Sequence, residues 1–300
     1  MTSLVAAAPI SFGVTRASGT PDAATVVAAI ADAGYAGTEL GPPGWLGSGP
    51  EAAELLAGHA LELVAAYVPL RLAQTDAFRD DLASLDTTLD LVTDAATPAG
   101  LPRILLADAG DDPQRRAYAG RIEAHREAWP GEARSALLAT NVSRAAERCR
   151  ERGFEVAFHP HVGTFVETPR EIARLVDGID ASLVGLCFDS GHALVGGGEP
   201  RRLLADYAEL VTHLHLKDVD RARLDALRDE GATFARMVEA GVFCDLGAGA
   251  ADVTGCLDDL AAAGYDGWVV VEQDRAPGAS FDAARESALV SRAVLREHGV

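Results

Sequence analysis

The sequence is poor in the features that mark secreted and membrane-spanning proteins. Its four cysteines, Cys149, Cys187, Cys244 and Cys256, include no Cys-x-x-Cys pair. Nothing near residue 1 follows the basic, apolar, small-residue order typical of a signal peptide. No apolar run reaches the roughly 18 residues that a membrane-spanning helix needs. We therefore expect a cytoplasmic protein that does not enter a membrane.

Basic residues are also scarce. The chain has 26 Lys and Arg against 45 Asp and Glu, a formal net charge of -19. An acidic excess of this size repels phosphate backbones, and nucleic-acid binding requires clustered Lys and Arg. We therefore expect no nucleic-acid partner, and most carboxylates outside strand ends are interpreted as solvated helix faces.

Low-complexity tracts and long linkers rich in Pro, Gly or Ser are missing as well. Short apolar runs alternate with amphipathic stretches along the chain, which is typical of a parallel sheet with crossover helices. Helix-start signals lie between the runs at Pro21-Asp22, Thr168-Pro169 and Asp252. Eight runs are predicted to be strands: 4–14, 37–41, 61–69, 102–108, 155–159, 184–189, 211–217 and 267–273.

Eight βα units in 300 residues predict a closed (β/α)8 TIM barrel that occupies residues 1–300 as a single domain. A doubly wound open sheet would usually carry a glycine-rich phosphate loop after its first strand, and none follows residue 14. Two segments, 111–142 and 218–251, are longer than a simple crossover and follow the C-terminal end of a strand. We expect both to act as lid or substrate segments over the site.

Polar residues stand out at the C-terminal ends of predicted strands five to eight. Because a strand has a period of two, the last inward residue of each strand reaches the mouth of the barrel. His159, Asp189, His215 and Glu272 are therefore the predicted ligands of a divalent metal ion. Two imidazoles with two carboxylates are softer than an all-oxygen Mg²⁺ site and lack the thiolates typical of structural zinc, so they suit a borderline ion such as Mn²⁺, Co²⁺ or Zn²⁺. Mn²⁺ or Co²⁺ is favoured, with Zn²⁺ and Mg²⁺ as alternatives, and a metal-free hydrogen-bonded histidine core is the alternative interpretation.

Three residues follow the predicted ligands closely enough to reach a substrate bound beside them. His161, His192 and Lys217 lie one to three residues further along the chain, so we interpret them as candidates for proton transfer and hydroxyl binding. The alternative for Lys217 is a salt bridge to its neighbour Asp218.

Three further strand-end residues are less decisive. Glu39 ends predicted strand two and is a fourth catalytic candidate, with a rim carboxylate as the alternative. Asp108 ends strand four and has a weaker claim. His213 shares the parity of His215 and should lie one layer deeper, so we interpret it as packing or as support for a ligand.

Six short stretches of the sequence are distinctive, and some of them contain these candidates. They are 34–42 (GYAGTELGP), 158–164 (FHPHVGT), 184–192 (VGLCFDSGH), 213–219 (HLHLKDV), 240–243 (AGVF) and 264–274 (GYDGWVVVEQD). In this order they resemble the inosose dehydratase branch of the xylose-isomerase-like TIM barrels, also described as sugar phosphate isomerases and epimerases. The resemblance implies a divalent ion on His159, Asp189, His215 and Glu272. A histidine at 159, where many members have Glu, favours the dehydratase branch.

The resemblance also implies an activity. It indicates a metal-dependent lyase that acts on a polyhydroxylated ring ketone such as scyllo-inosose, in inositol breakdown or a related route, by enolate formation and β-elimination of water. The alternatives are a keto-sugar epimerase or isomerase, a keto-glycoside lyase and, from another class, a non-catalytic sugar-binding or partner-binding barrel subunit. The expected partner is a keto-cyclitol or keto-sugar. A homo-oligomer is a further expectation, because barrels of this family often pair.

The sequence departs from the branch at a few positions. Ser11 and Phe12 stand where the branch usually has Asn and Trp, and 246–249 (LGAG) replaces its Pro-Gly-x-Gly turn. We expect Ser11, Phe12, Trp45 and the segment 111–142 to set substrate choice.

Overall fold

The computed structural model describes residues 4–15 and 20–300. Within them, the strands are β1 Val5–Ala7, β2 Gly37–Glu39, β3 Glu62–Leu70, β4 Arg103–Asp108, β5 Val156–Phe158, β6 Gly185–Asp189, β7 Val211–Leu216, β8 Asp218–Val219, β9 Phe243–Cys244 and β10 Val269–Val271. Eight of them form a closed parallel barrel in the order β1-β10-β7-β6-β5-β4-β3-β2, and β8 pairs with β9 in a separate antiparallel sheet. The predicted eight-stranded barrel is confirmed.

Helices connect the strands and surround the barrel. Those described are α1 Ala23–Asp32, α2 Gly49–Gly58, α3 Thr75–Asp94, α4 Pro113–Tyr118, α5 Glu132–Glu151, α6 Pro169–Gly178, α7 Ser190–Val195, α8 Pro200–Tyr207, α9 Arg221–Asp229, α10 Phe234–Glu239, α11 Val253–Ala262 and α12 Phe281–Glu297. In the described parts of the chain, no helix has the length and apolarity to cross a membrane.

Three helices begin where the sequence signals predict. Asp22 precedes α1, and its carboxylate accepts a hydrogen bond from the backbone N–H three residues later. Thr168 and Glu171 form a capping box at the start of α6. Asp252 caps α11 through the N–H of Gly255. These side chains satisfy backbone donors that the first helical turn leaves free.

The first strand is shorter than predicted. β1 ends at Ala7, and a 3₁₀ helix follows over Pro9–Phe12. Pro9 has no N–H for a strand ladder and its fixed φ suits the first position of a helical turn. Gly13 then ends the turn with a φ of +82°, which only glycine adopts readily. The prediction of a strand to residue 14 was wrong, and the turn instead brings Pro9 to the barrel mouth.

The barrel interior changes from apolar to polar along its axis. Small buried side chains fill its lower part, among them Ala6, Ala157, Cys187 and Val270. On three of these strands the residue two positions further along points the same way and is larger and polar: His159 follows Ala157, Asp189 follows Cys187 and Glu272 follows Val270. A second and much larger apolar core lies between the strands and the surrounding helices. Buried apolar side chains therefore surround the polar layer from below and from the sides.

The segments 111–142 and 218–251 are folded and contact each other. Arg115 is fully buried, and its guanidinium donates two hydrogen bonds of 2.8 Å to the carboxylate of Glu171. Arg228 in α9 donates to the carbonyl oxygens of Gly120 and Val195 at 3.0 Å each. The two segments are thus tied to each other and to the loops that follow β5 and β6.

Candidate metal centre

The structure brings the four predicted ligand residues together. They stand at the ends of β5, β6, β7 and β10, and one ligand atom from each lies within 4.8 Å of the others. Oδ2 of Asp189 is 3.7 Å from both Nε2 of His159 and Nδ1 of His215. Nδ1 of His215 is 2.6 Å from Oε2 of Glu272. The convergence follows because the C-terminal ends of parallel barrel strands share one mouth.

Most of these atoms lack hydrogen-bond partners within the described protein. Both ring nitrogens of His159, Oδ2 of Asp189 and Nδ1 of His215 are buried and unsatisfied. Buried polar atoms are normally paired, because leaving them unpaired is costly. Nitrogen and carboxylate oxygen atoms that converge without partners fit a divalent cation. The donor set can therefore hold a metal ion.

Lys217 lies behind the cluster, in contact with its carboxylates. Its fully buried ammonium donates to Glu272 at 2.8 Å, to Asp274 at 2.7 Å and to Nε2 of His192 at 3.1 Å. The alternative pair with Asp218 is not formed. That carboxylate instead accepts four backbone N–H groups, from Val219, Gly247, Gly249 and Ala251.

Neighbouring carboxylates keep the side chain of Lys217 protonated. Burial disfavours the charged form, but Asp274, Glu272 and Asp189 outweigh it and raise the pKa of Lys217 well above its usual value. A Cβ at residue 191 would lie 2.6 Å from Cγ of Lys217, so Gly191 leaves room for the stem. Sequence reasoning missed Asp274, although it lies two residues after Glu272 and shares its parity.

Glu39 supports a predicted ligand from below. Its Oε1 accepts from Nε2 of His213 at 3.0 Å and from Nε2 of His215 at 2.8 Å. Burial would raise the pKa of Glu39, but these two histidines lower it to about 2. The hydrogen bond assigns the proton of His215 to Nε2 and leaves Nδ1 to face the cluster. Glu39 is therefore a buried positioning carboxylate rather than a rim residue, and His213 lies one layer deeper, as its parity predicts.

A cavity of about 370 Å³ opens above the cluster. His159, His215 and Glu272 line it, together with His161 and Tyr67. Among the described residues, His192 and Lys217 do not reach its wall. Two of the four catalytic candidates, His161 and Glu39, thus face the cavity, whereas the other two lie behind the carboxylates.

The tautomer of His161 follows from the hydrogen bond of its ring. Its Nδ1 lies 2.8 Å from the carbonyl oxygen of Val162, which can only accept, so Nδ1 carries the proton and Nε2 has a lone pair. Burial, with the charges of His159 and Lys217, lowers the pKa of His161 to about 3. Burial also raises the pKa of Tyr67 well above its usual value. The cavity therefore offers a neutral acceptor and a phenolic donor side by side.

Three of the positions expected to set substrate choice lie outside the wall of this cavity. Ser11 accepts a hydrogen bond from the backbone of Gln273 at 3.0 Å, Phe12 packs against Phe281, and Trp45 donates to a backbone carbonyl. In the described part of the chain, none of the three lines the cavity. The 3₁₀ turn that replaces the predicted strand presents Pro9 and Ile10 to it instead. That Ser11, Phe12, Trp45 and the segment 111–142 set substrate choice stays a prediction.

The segment 218–251 supplies aromatic rings beside the candidates. The ring of Phe234 lies 5.4 Å from His161 and 5.7 Å from His192. The face of Phe243 lies 5.0 Å from the Lys217 ammonium. These two rings therefore pack against His161, His192 and Lys217.

Comparisons with known proteins find relatives of this chain by sequence and by fold. The chain is 35% identical over 252 residues to the rhizopine catabolism protein MocC of Rhizobium meliloti, covering 82% of this chain and 72% of that protein. It is 29% identical over 253 residues to the inosose dehydratase of Geobacillus kaustophilus, covering 84% and 80% of the two chains. The crystal structure of the IolI protein with bound zinc superposes with a TM-score of 0.73 at 14% identity, covering 98% and 97%. The resemblance indicated by the sequence strings is confirmed. Because the family described as "Xylose isomerase-like TIM barrel" matches residues 27–297, the chain belongs to the xylose isomerase-like TIM barrel family.

Proposed function

We propose that this chain is a metal-dependent carbon–oxygen lyase that removes water from a polyhydroxylated ring ketone of the inosose type. The observation that carries the proposal is the convergence of His159, Asp189, His215 and Glu272, whose buried ligand atoms are mostly unpaired, at the floor of a cavity. Similarity to a curated inosose dehydratase over most of both chains supports the reaction and the substrate type.

The four side chains would hold the ion. Two imidazole nitrogens and two carboxylates favour Mn²⁺ or Co²⁺, with Zn²⁺ and Mg²⁺ as alternatives. A bound divalent ion would supply Lewis acidity to the carbonyl oxygen and the neighbouring hydroxyl of the substrate. Glu39 would keep Nδ1 of His215 directed at the cluster through its 2.8 Å hydrogen bond to Nε2.

The remaining cavity residues fit the proton transfers of an elimination. Nε2 of His161 is an acceptor and can take a proton or a hydroxyl hydrogen bond from the substrate. The Tyr67 hydroxyl stays protonated and can donate to a leaving hydroxyl. The ring centroids of the two residues are 6.5 Å apart and both residues line the cavity, so both can contact one bound ring. Lys217 and His192 would hold the charge and position of Glu272 from behind.

We further propose that residues 1–300 are one barrel domain in which the segments 111–142 and 218–251 cover the substrate. Phe234 beside His161 supports this for the second segment. For the first, the support is its attachment to the loop after β5 through Arg115. A small-molecule substrate enclosed in this way would react away from bulk water.

The decisive experiment is turnover of scyllo-inosose by the metal-stripped protein, followed by ultraviolet absorbance with and without added Mn²⁺ or Co²⁺. Elimination creates a conjugated enol-dione chromophore, so we expect absorbance that depends on the metal. The variant His159→Gln should lose roughly 100-fold or more of this activity and of its Mn²⁺ affinity, more than is typical when an outer partner is removed. His298→Gln is the matched control, because His298 contacts Asp258 away from the site.

Other outcomes would point to the alternatives. Exchange of the substrate hydrogen next to the carbonyl with deuterated water, without new absorbance, would indicate an epimerase or isomerase. Neither absorbance nor exchange, with the metal bound, would indicate a non-catalytic subunit and overturn the proposal.

A further inference from the structure

We propose that the ring ketone carries a neutral, polyhydroxylated substituent of about one sugar ring, which binds in a second cavity beside the candidate metal centre. The inference rests on the proposed function, because it names the class of ring ketone on which that activity would act.

The second cavity is the larger of the two. Its volume is about 640 Å³, against about 370 Å³ above the cluster. Both volumes fall within the range of small-molecule sites. Tyr67 and His161 line both cavities, so the two meet at this wall. A bare six-membered ring bound above the cluster would leave the larger space empty.

The walls of the second cavity combine apolar and polar groups. Val162, Phe234 and Val238 supply the apolar face, and Asp108 and Thr164 are among the polar groups. A sugar ring has a face of C–H groups that packs on carbon and a rim of hydroxyls that form hydrogen bonds. Sites of mainly apolar lining with a few placed polar groups recognise ligands of this kind.

Asp108 provides the most specific sign of a ligand. It ends β4 and is 3% exposed, and its carboxylate accepts hydrogen bonds from the backbone N–H of Phe165, through Oδ2 at 3.0 Å, and from the backbone of Gly110. Across residues 4–15 and 20–300, no Lys or Arg forms an ion pair with it. A buried carboxylate without a paired cation is costly unless its oxygens are hydrogen-bonded. Since Asp108 lines the cavity, a substrate hydroxyl would satisfy its remaining lone pairs.

The charges of the cavity favour a neutral substituent. Asp108 and Glu239 bring two carboxylates, and Arg116 brings one guanidinium. A phosphate group would meet more repulsion than attraction from these residues. Arg116 and Glu239 are both exposed, so the cavity opens to solvent at their end. This opening leaves room for a longer glycosyl chain.

The test compares two ketones by ultraviolet absorbance, scyllo-inosose and its O-glucosyl derivative. We expect kcat/KM for the glucosyl ketone to exceed that for the bare ketone by about tenfold or more, the size of discrimination that one additional pocket provides. Val238→Trp, which fills the second cavity, should reduce this ratio to about one. Val290→Trp is the matched control, because Val290 is exposed on α12, and it should keep the wild-type ratio.

A second variant covers the case in which the tryptophan disturbs folding. Asp108→Asn keeps the shape and an acceptor for Phe165 but removes the charge, and it should lower the ratio by roughly tenfold. A wild-type ratio of one or less, or a ratio that neither variant changes, would overturn the inference while leaving the proposed dehydratase intact.

Binding without turnover separates this inference from the proposed function. If neither ketone reacts, the dehydratase proposal fails, and calorimetry with glucosyl-myo-inositol and myo-inositol still decides about the second cavity. Tighter binding of the glucosyl compound that is lost in Val238→Trp supports the cavity assignment. Equal binding of the two compounds contradicts it.

Discussion

The substitution Glu39→Gln tests whether this carboxylate acts on substrate or holds His215 in place. One oxygen of Glu39 accepts hydrogen bonds from both His213 and His215, at 3.0 and 2.8 Å. Glutamine has nearly the same shape, and its carbonyl oxygen can still accept both bonds, but it carries no charge. Hydrogen bonds to a charged acceptor are roughly twice as strong as neutral ones. The substitution therefore weakens the support of His215 without opening a cavity.

The expected magnitude follows from this role. Losing an outer partner of a metal-binding histidine typically lowers metal affinity by roughly 10–100-fold, which corresponds to about 1.4–2.8 kcal/mol. Titration of metal-free protein with Mn²⁺ in competition with a chelator measures the affinity, and kcat at saturating Mn²⁺ measures the chemistry. We expect a weaker affinity and a kcat that largely recovers at high metal concentration.

An unchanged affinity of Glu39→Gln for Mn²⁺ together with a lower kcat would contradict the positioning role of Glu39. That result would make Glu39 a group that acts on substrate, which is the role that its place at the end of strand two first indicated. Glu54→Gln is a suitable control, because Glu54 is exposed on α2, and it should match the wild type in both measurements.

Two further predictions concern buried charges outside the centre. Arg115→Met leaves the Glu171 carboxylate buried and unpaired, so urea unfolding should show a loss of about 3–5 kcal/mol. Arg201→Met at the exposed pair with Asp259 should lose at most about 1 kcal/mol, and equal losses would contradict the argument. Burial raises the pKa of Glu167 from 4.5 to about 7, so the folded protein retains a proton that the unfolded chain releases. Its contribution to stability is therefore present below pH 4.5 and falls by up to about 3 kcal/mol as the pH rises to 7. In Glu167→Gln this part of the pH dependence should vanish between unfolding curves at pH 5 and pH 8, and an unaltered dependence would exclude the assignment.

The fold and the floor of the candidate site could be predicted because both depend on short-range periodicity. A period of two decides which strand residues point inward, and the ends of parallel strands meet at one mouth. His159, Asp189, His215 and Glu272 therefore converge in the structure as the pattern predicted. That they bind a metal stays a prediction, which the titration and turnover experiments address.

The apolar run that begins at residue 4 shows that periodicity does not predict the length of a strand. The run is compatible with a long strand, but Pro9 and Gly13 favour a turn, and a turn is formed. Because the chain leaves the strand at Ala7, Ser11 and Phe12 point away from the cavity. A one-dimensional pattern does not say how far a strand continues once its neighbours in the barrel have ended.

The barrel, the inward parity of its strands and the four polar residues at its mouth follow from the order of residues, since these are properties of neighbours along one chain. How those residues are supported depends on long-range packing. Lys217 pairs with Asp274 and Glu272 rather than with the adjacent Asp218, because consecutive strand residues point to opposite faces while residues 55 or more positions away meet inside the barrel. The same long-range packing places Tyr67 between two cavities. A pattern of neighbouring residues along the chain does not predict this position.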